Sequence, residues 1–95
     1  MSNSTDDTGK IEAILQRLNE FRLPRLLELK ERVDRGETLT DHDIKFLEHV
    51  LEDARSVEGL IKRRPEVQPL AAKVTALYHD IVAKGLENEA KSLGG

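Results

Sequence analysis

From Lys10 onward, apolar residues recur every three or four positions, the interval that places side chains on one face of an α-helix. Ile11, Ile14, Leu18 and Phe21 keep a 3-4-3 spacing, and Leu26, Leu29 and Val33 resume it after a gap of five residues. Pro24 lies inside that gap. A proline has no amide to donate and its ring clashes with the carbonyl four residues back, so a kink or break is expected there. Arg22 and Arg25 would also fall on the apolar face of a straight helix. The pattern predicts a first helix over about 10–35, interrupted at Pro24 and closed by Gly36 as a left-handed cap.

Thr40-Asp41-His42-Asp43 opens a second helix. The Thr40 hydroxyl can accept from the Asp43 amide while two carboxylates meet the positive helix end, a close relative of the capping box. Over about 41–63, Ile44, Leu47, Val50, Leu51, Ala54, Val57 and Ile61 span an arc of roughly 140° at 100° per residue, with Phe46 and Leu60 widening it. So broad a face implies contact with two neighbours. Lys62, Arg63 and Arg64 close this helix, and Pro65 and Pro69 bracket a turn. A third helix over about 67–90 carries the most regular stripe, Val67, Leu70, Val74, Leu77 and Ile81. Lys84-Gly85 is a candidate cap, and Leu86, Ala90 and Leu93 suggest a continuation on a rotated face.

No strand-like alternation of useful length occurs, and loops of about five residues favour antiparallel neighbours. The expected fold is all-α: an antiparallel three-helix bundle, first helix kinked or broken at Pro24. Residues 1–9, polar and without periodicity, read as a disordered leader, 10–91 as one domain and 92–95 as a flexible tail. Each helix carries one aromatic residue. In this topology Phe21 and Tyr78 should meet across Ala54, with Phe46 nearer Leu29.

Composition narrows the function more than it identifies it. The chain has 95 residues, 35% of them charged, with a net charge of −3. That balance disfavours bulk electrostatic binding to nucleic acid or an anionic membrane. Six acids stand four positions before a base, Glu28–Arg32, Glu31–Arg35, Asp41–Lys45, Glu58–Lys62, Asp80–Lys84 and Glu87–Lys91, a spacing that supports solvated helix surface. The absence of cysteine removes thiol chemistry and disulfides, and it fits a cytoplasmic setting. So small a core makes self-association into a homodimer an open route.

Candidate chemistry is sparse. His42, His49, Asp53 and Ser56 line one edge of the second helix. His49 and Asp53, at i and i+4, form a weak candidate pair for a divalent cation, though further ligands would have to come from elsewhere. Ser56, His49 and Asp53 are also the residue types of a hydrolytic triad, but two helical turns separate Ser56 from His49 and nothing nearby supplies an oxyanion hole. The glycines open no phosphate loop. Leu93-Gly94-Gly95 resembles the tail of ubiquitin-like modifiers, whose strand-rich fold this chain cannot form. No catalytic site and no cofactor are expected.

What remains is helix surface. Leu23 and Leu27 stand one turn apart off the main stripe, and with Phe46 and Leu60 they are the candidate residues for docking a protein partner or a second copy. The alternatives are nucleic-acid association through the Arg63/Arg64 pole, aided by Arg17 and Arg22 if these converge there, and the His49/Asp53 cation site. Glu58, on the apolar side of the second helix, is expected at the height of Arg17 and could pair with it.

Overall fold

A computed structural model describes the backbone of residues 3–94 and the side chains of 9–94. Three helical rods form an elongated bundle of 59 × 22 × 19 Å, with no strand among the described residues. The first rod consists of α1 (Asn3–Arg17), a π-helical turn (Leu18–Arg22) and α2 (Leu23–Asp34). The second is α3 (Asp41–Ile61), and the third is α4 (Gln68–Gly94), entered through a 3₁₀ turn over Pro65–Val67. Helical backbone thus runs through Asn3–Gly9, read from sequence as leader, and through residues 92–94 of the tail. Residues 1, 2 and 95 lie outside the described residues.

The break expected at Pro24 is present, as a π turn rather than a sharp bend. Pro24 cannot donate to the Glu20 carbonyl, and just before it the Leu23 amide donates to Leu18 O, five residues back. The wider winding brings Leu18 and Leu23 onto one line in place of Leu18 and Phe21. Phe21 is therefore carried outward to 67% exposure and does not meet Tyr78 across Ala54. Phe46 does pack in the same core cluster as Leu29.

The helix ends follow local chemistry. At Gly36 (φ 97°) the backbone turns left-handed, and the Gly36 and Glu37 amides donate to Val33 O and Arg32 O, satisfying carbonyls left open at the end of α2. Thr40 Oγ1 accepts from the Asp43 amide at 3.1 Å while Asp43 Oδ2 accepts from the Thr40 amide at 2.9 Å, so the capping box is complete.

Two clusters make the core. The larger joins Leu26, Leu29 and Val33 of α2 to Phe46, Leu47 and Val50 of α3 and to Val74 and Ile81 of α4. The smaller joins Leu15 and Leu18 to Val57. Contact is densest between α2 and α4 and sparse between α3 and α4. Gly85 is no cap: α4 continues past it, and a Cβ there would stand 2.6 Å from the Leu39 side chain, so glycine admits the loop before α3. Close by, the buried Asn88 amide donates to Val33 O and Glu37 O, both at 2.8 Å, tying α4 to the end of α2.

Candidate functional site

The polar residues singled out from sequence are mostly occupied by the architecture. Asp53 is buried in α3, its carboxylate receiving Arg17 Nε at 3.0 Å, Arg17 Nη2 at 2.9 Å and Arg22 Nε at 3.3 Å. Burial alone would raise the Asp53 pKa. The hydrogen bonds and charges of the two guanidiniums outweigh it and hold the carboxyl below its ordinary range. The oxygens that a cation would need are thus turned to two arginines. His49 is exposed on the same helix, and Ser56 Oγ donates to its own helix at Glu52 O, 3.0 Å away. Among the described residues no three His, Asp or Glu side chains converge as a metal site.

A second clamp holds the N-terminal end of α3. Arg32 Nη1 and Nη2 reach the two Asp43 oxygens at 3.1 and 2.9 Å, and Arg32 Nε reaches Glu37 at 3.2 Å. Burial pushes the Asp43 carboxyl up, but Arg32 and the Thr40 amide and hydroxyl more than offset it, leaving the pKa lowered. Of the six acid-before-base pairs expected along the helices, only Glu87–Lys91 (3.1 Å) is an ion pair of the structure. Several of the cations reach instead across loops and between helices.

At the basic pole Arg64 is engaged, while Lys62 and Arg63 are exposed. Arg64 pairs with Glu12 of α1 and with Glu66. Arg17 and Arg22 converge on Asp53, about ten residues and 15 Å along α3 from Arg63. Arg17 does not pair with Glu58, which is exposed. Arg22 and Arg25 also lie over the Phe46 ring, 5.8 and 4.8 Å from its centroid, so the arginines on the apolar side of the first rod cover an aromatic of the core.

The four apolar docking candidates separate. Phe46 is buried, Leu23 and Leu60 are half-buried with Leu23 against the main core, and Leu27 is exposed. Phe46 and Leu23 thus belong to the main core, which leaves Leu27 and the half-buried Leu60 outside it. Another surface was missed in the sequence because two acids hide the true core stripe of α3. Five of its six buried positions, Asp43, Phe46, Val50, Asp53 and Val57, keep a 3-4-3-4 spacing with carboxylates at two of them, and Leu47 lies beside Phe46. The other flank of the wide apolar arc, including Ile44, Leu51 and Ala54, is left outside the core, while Ile61 packs at the edge of the smaller cluster.

Because α3 and α4 touch only sparsely, that flank faces a groove. The cavity measures about 310 Å³ and lies between Leu51, Ala54 and Ile61 of α3 and Ala71, Val74 and Thr75 of α4, with Leu18 at its floor and Glu58 at its rim. A smaller hollow continues it past Val50 toward Tyr78 and His79. From Val50 to Ile61 the groove is about 16 Å long, three turns of a helix. Alanines at 54 and 71 keep it open. Its lining is apolar, with titratable groups only at its edges, so its chemistry is that of packing rather than of bond-making. No helix among the described residues is long and apolar enough to cross a membrane. In comparisons with known proteins the chain matches no family model, and no curated protein or solved structure is significantly similar to it.

Proposed function

We propose that this protein is a non-catalytic interaction module that takes an apolar helix face into the groove between α3 and α4. One observation carries this reading. Two helices of the bundle keep apolar side chains beside a groove wide enough for side chains and three turns long, with charge at its rim. The arrangement is that of helix-in-groove recognition, in which anchors spaced at i, i+3, i+4 and i+7 fill an apolar trough. The half-buried wall residues keep the unfilled groove compatible with the folded bundle, and the exposed Leu27 and Phe21 are single side chains of the kind any surface carries.

Thr75 is exposed and lines both parts of the groove, so Thr75→Arg blocks the trough without touching the core. Wild type, Thr75→Arg and an outer-face control, Glu31→Lys, are each crosslinked in extracts of the native cell. A polypeptide bound by wild type and Glu31→Lys, and reduced at least about tenfold by Thr75→Arg, is the expected result. Equal recovery by all three variants, or no polypeptide enriched by wild type, overturns the proposal.

A further inference from the structure

We infer that the occupant of this groove is α4 of a second copy, packed antiparallel about a two-fold axis near Val82; the inference rests on the docking function proposed above. It starts from the polarity of α4. The core side of this helix is the line Val74, Ile81, Gly85 and Asn88. One residue further round runs a second line, Ala71, Thr75, Tyr78, Val82, Leu86 and Leu93, which falls within an arc of about 80°. Tyr78 and Val82 pack partly against the main core and Ala71 is half-buried, while Thr75, Leu86 and Leu93 are exposed, the two leucines to 65% and 81%.

Five of the six charges of α4 respect the second line rather than the core line. Lys73, Asp80, Lys84, Glu87 and Lys91 crowd into an arc of about 60° diametrically opposite it. Opposite the core line, where a helix with one buried face is expected to be polar, stand Ala72, Ala83 and Ala90 beside His79. The apolar side of α4 is therefore centred on the second line, with the core on one flank and small residues on the other. A helix so patterned is built for a further neighbour at close approach.

The line is also complementary to its own reverse. With the axis at Val82, Leu86 falls opposite Tyr78 of the second copy and Leu93 opposite its Ala71, beside the 310 Å³ cavity. Leu93 thus meets a small residue beside a hollow, Leu86 meets the Tyr78 ring, and each contact occurs twice, as a two-fold interface requires. Glu89, the one charge within the line's arc, falls opposite Thr75 of the second copy and one turn from its His79. Contact over 71–93 is about 33 Å long, and a band about 10–12 Å wide covers on the order of 350–400 Å² per copy. The half-buried Leu51, which lines the same hollow as Thr75 and Tyr78, extends it, and the total stays below the roughly 600 Å² per partner of standard specific interfaces. That size places the dimer in a weak, concentration-dependent class.

Light scattering on size-exclusion fractions, loaded between about 1 and 500 µM, tests this. Wild type shifts from monomer to dimer across the range. Leu86→Arg and Leu93→Glu change exposed side chains only, so they keep the helical circular dichroism while weakening association at least about tenfold. The chain has no cysteine, so single-cysteine variants report geometry cleanly. Val82→Cys links to itself through a short thiol crosslinker, whereas Thr75→Cys, about 21 Å from its symmetry mate, does not. A wild type that stays monomeric throughout overturns the inference, as does a dimer unaffected by Leu86→Arg or one in which Thr75→Cys links as readily as Val82→Cys. If wild type is monomeric but still captures another polypeptide that Thr75→Arg loses, the second copy is excluded while the docking groove stands. A dimer indifferent to both Leu86→Arg and Thr75→Glu, which sets a carboxylate against Glu89 of the second copy and a charge in the apolar trough, removes both readings.

Discussion

Asp53→Asn tests whether the arginine clamp at the middle of α3 holds the first rod in place. The substitution keeps the shape and removes the charge that accepts three hydrogen bonds, two from Arg17 and one from Arg22. Hydrogen bonds to charged groups contribute about 1.5–3 kcal/mol each in protected sites, which sets an upper limit near 5–9 kcal/mol for the three. The real cost is smaller, because the Arg17 and Arg22 side chains are 45% and 23% exposed and recover water when released. About 2 kcal/mol at pH 7 is expected. For a chain of this size that lowers Tm by roughly 8–16 °C, measurable by thermal circular dichroism. The acid limb supplies a second check. Asp53 titrates lower in the folded chain than in the unfolded one, so its contribution is complete above the unfolded value near 3.9 and fades as pH falls through it toward the folded value. The gap in Tm between wild type and Asp53→Asn should therefore narrow from about pH 5 downward. An equal Tm at pH 7 refutes the clamp, and a gap that persists unchanged in acid shows packing rather than charge at work.

Three further outcomes follow from the same geometry. Asn88→Ala removes both donors that tie α4 to Val33 O and Glu37 O in a buried site, and it should cost about 2 kcal/mol in urea unfolding with an unchanged m-value. Gly85→Ala gains about 1 kcal/mol of helix propensity but forces Leu39, packed on the core, out of a 2.6 Å overlap; net destabilisation of about 1 kcal/mol is expected by the same method. Zinc titration should leave the NMR signals of Asp53 and its helix in place, since both carboxylate oxygens already face guanidiniums, and a stoichiometric shift there would show that the cation displaces the arginines.

Much of the secondary structure was legible because its causes are local. The Thr40–Asp43 cap, the left-handed Gly36 and the break before Pro24 depend on a few neighbouring residues, and all three stand where their chemistry places them. Gly85 misled for an equally physical reason. A glycine after a lysine has the composition of a helix end, and only the approach of Leu39 from another element shows that it serves close packing.

The amino-acid sequence by itself determined three amphipathic helices, their order, and an apolar surface wider than one core needs, because helical periodicity is written in side chains three and four residues apart. Tertiary structure alone decided which part of that surface is core. Asp43 and Asp53 occupy interior positions since Arg32, Arg17 and Arg22 reach them from the first rod, up to 36 residues away in sequence. A carboxylate is stable there only with such partners, and distance along the chain does not reveal them. Once the two acids turn inward, Leu51, Ala54 and Ile61 are left at the boundary with α4, and the groove exists. Hydrophobicity counts how much apolar surface a helix has; the placement of paired charges settles which way it faces.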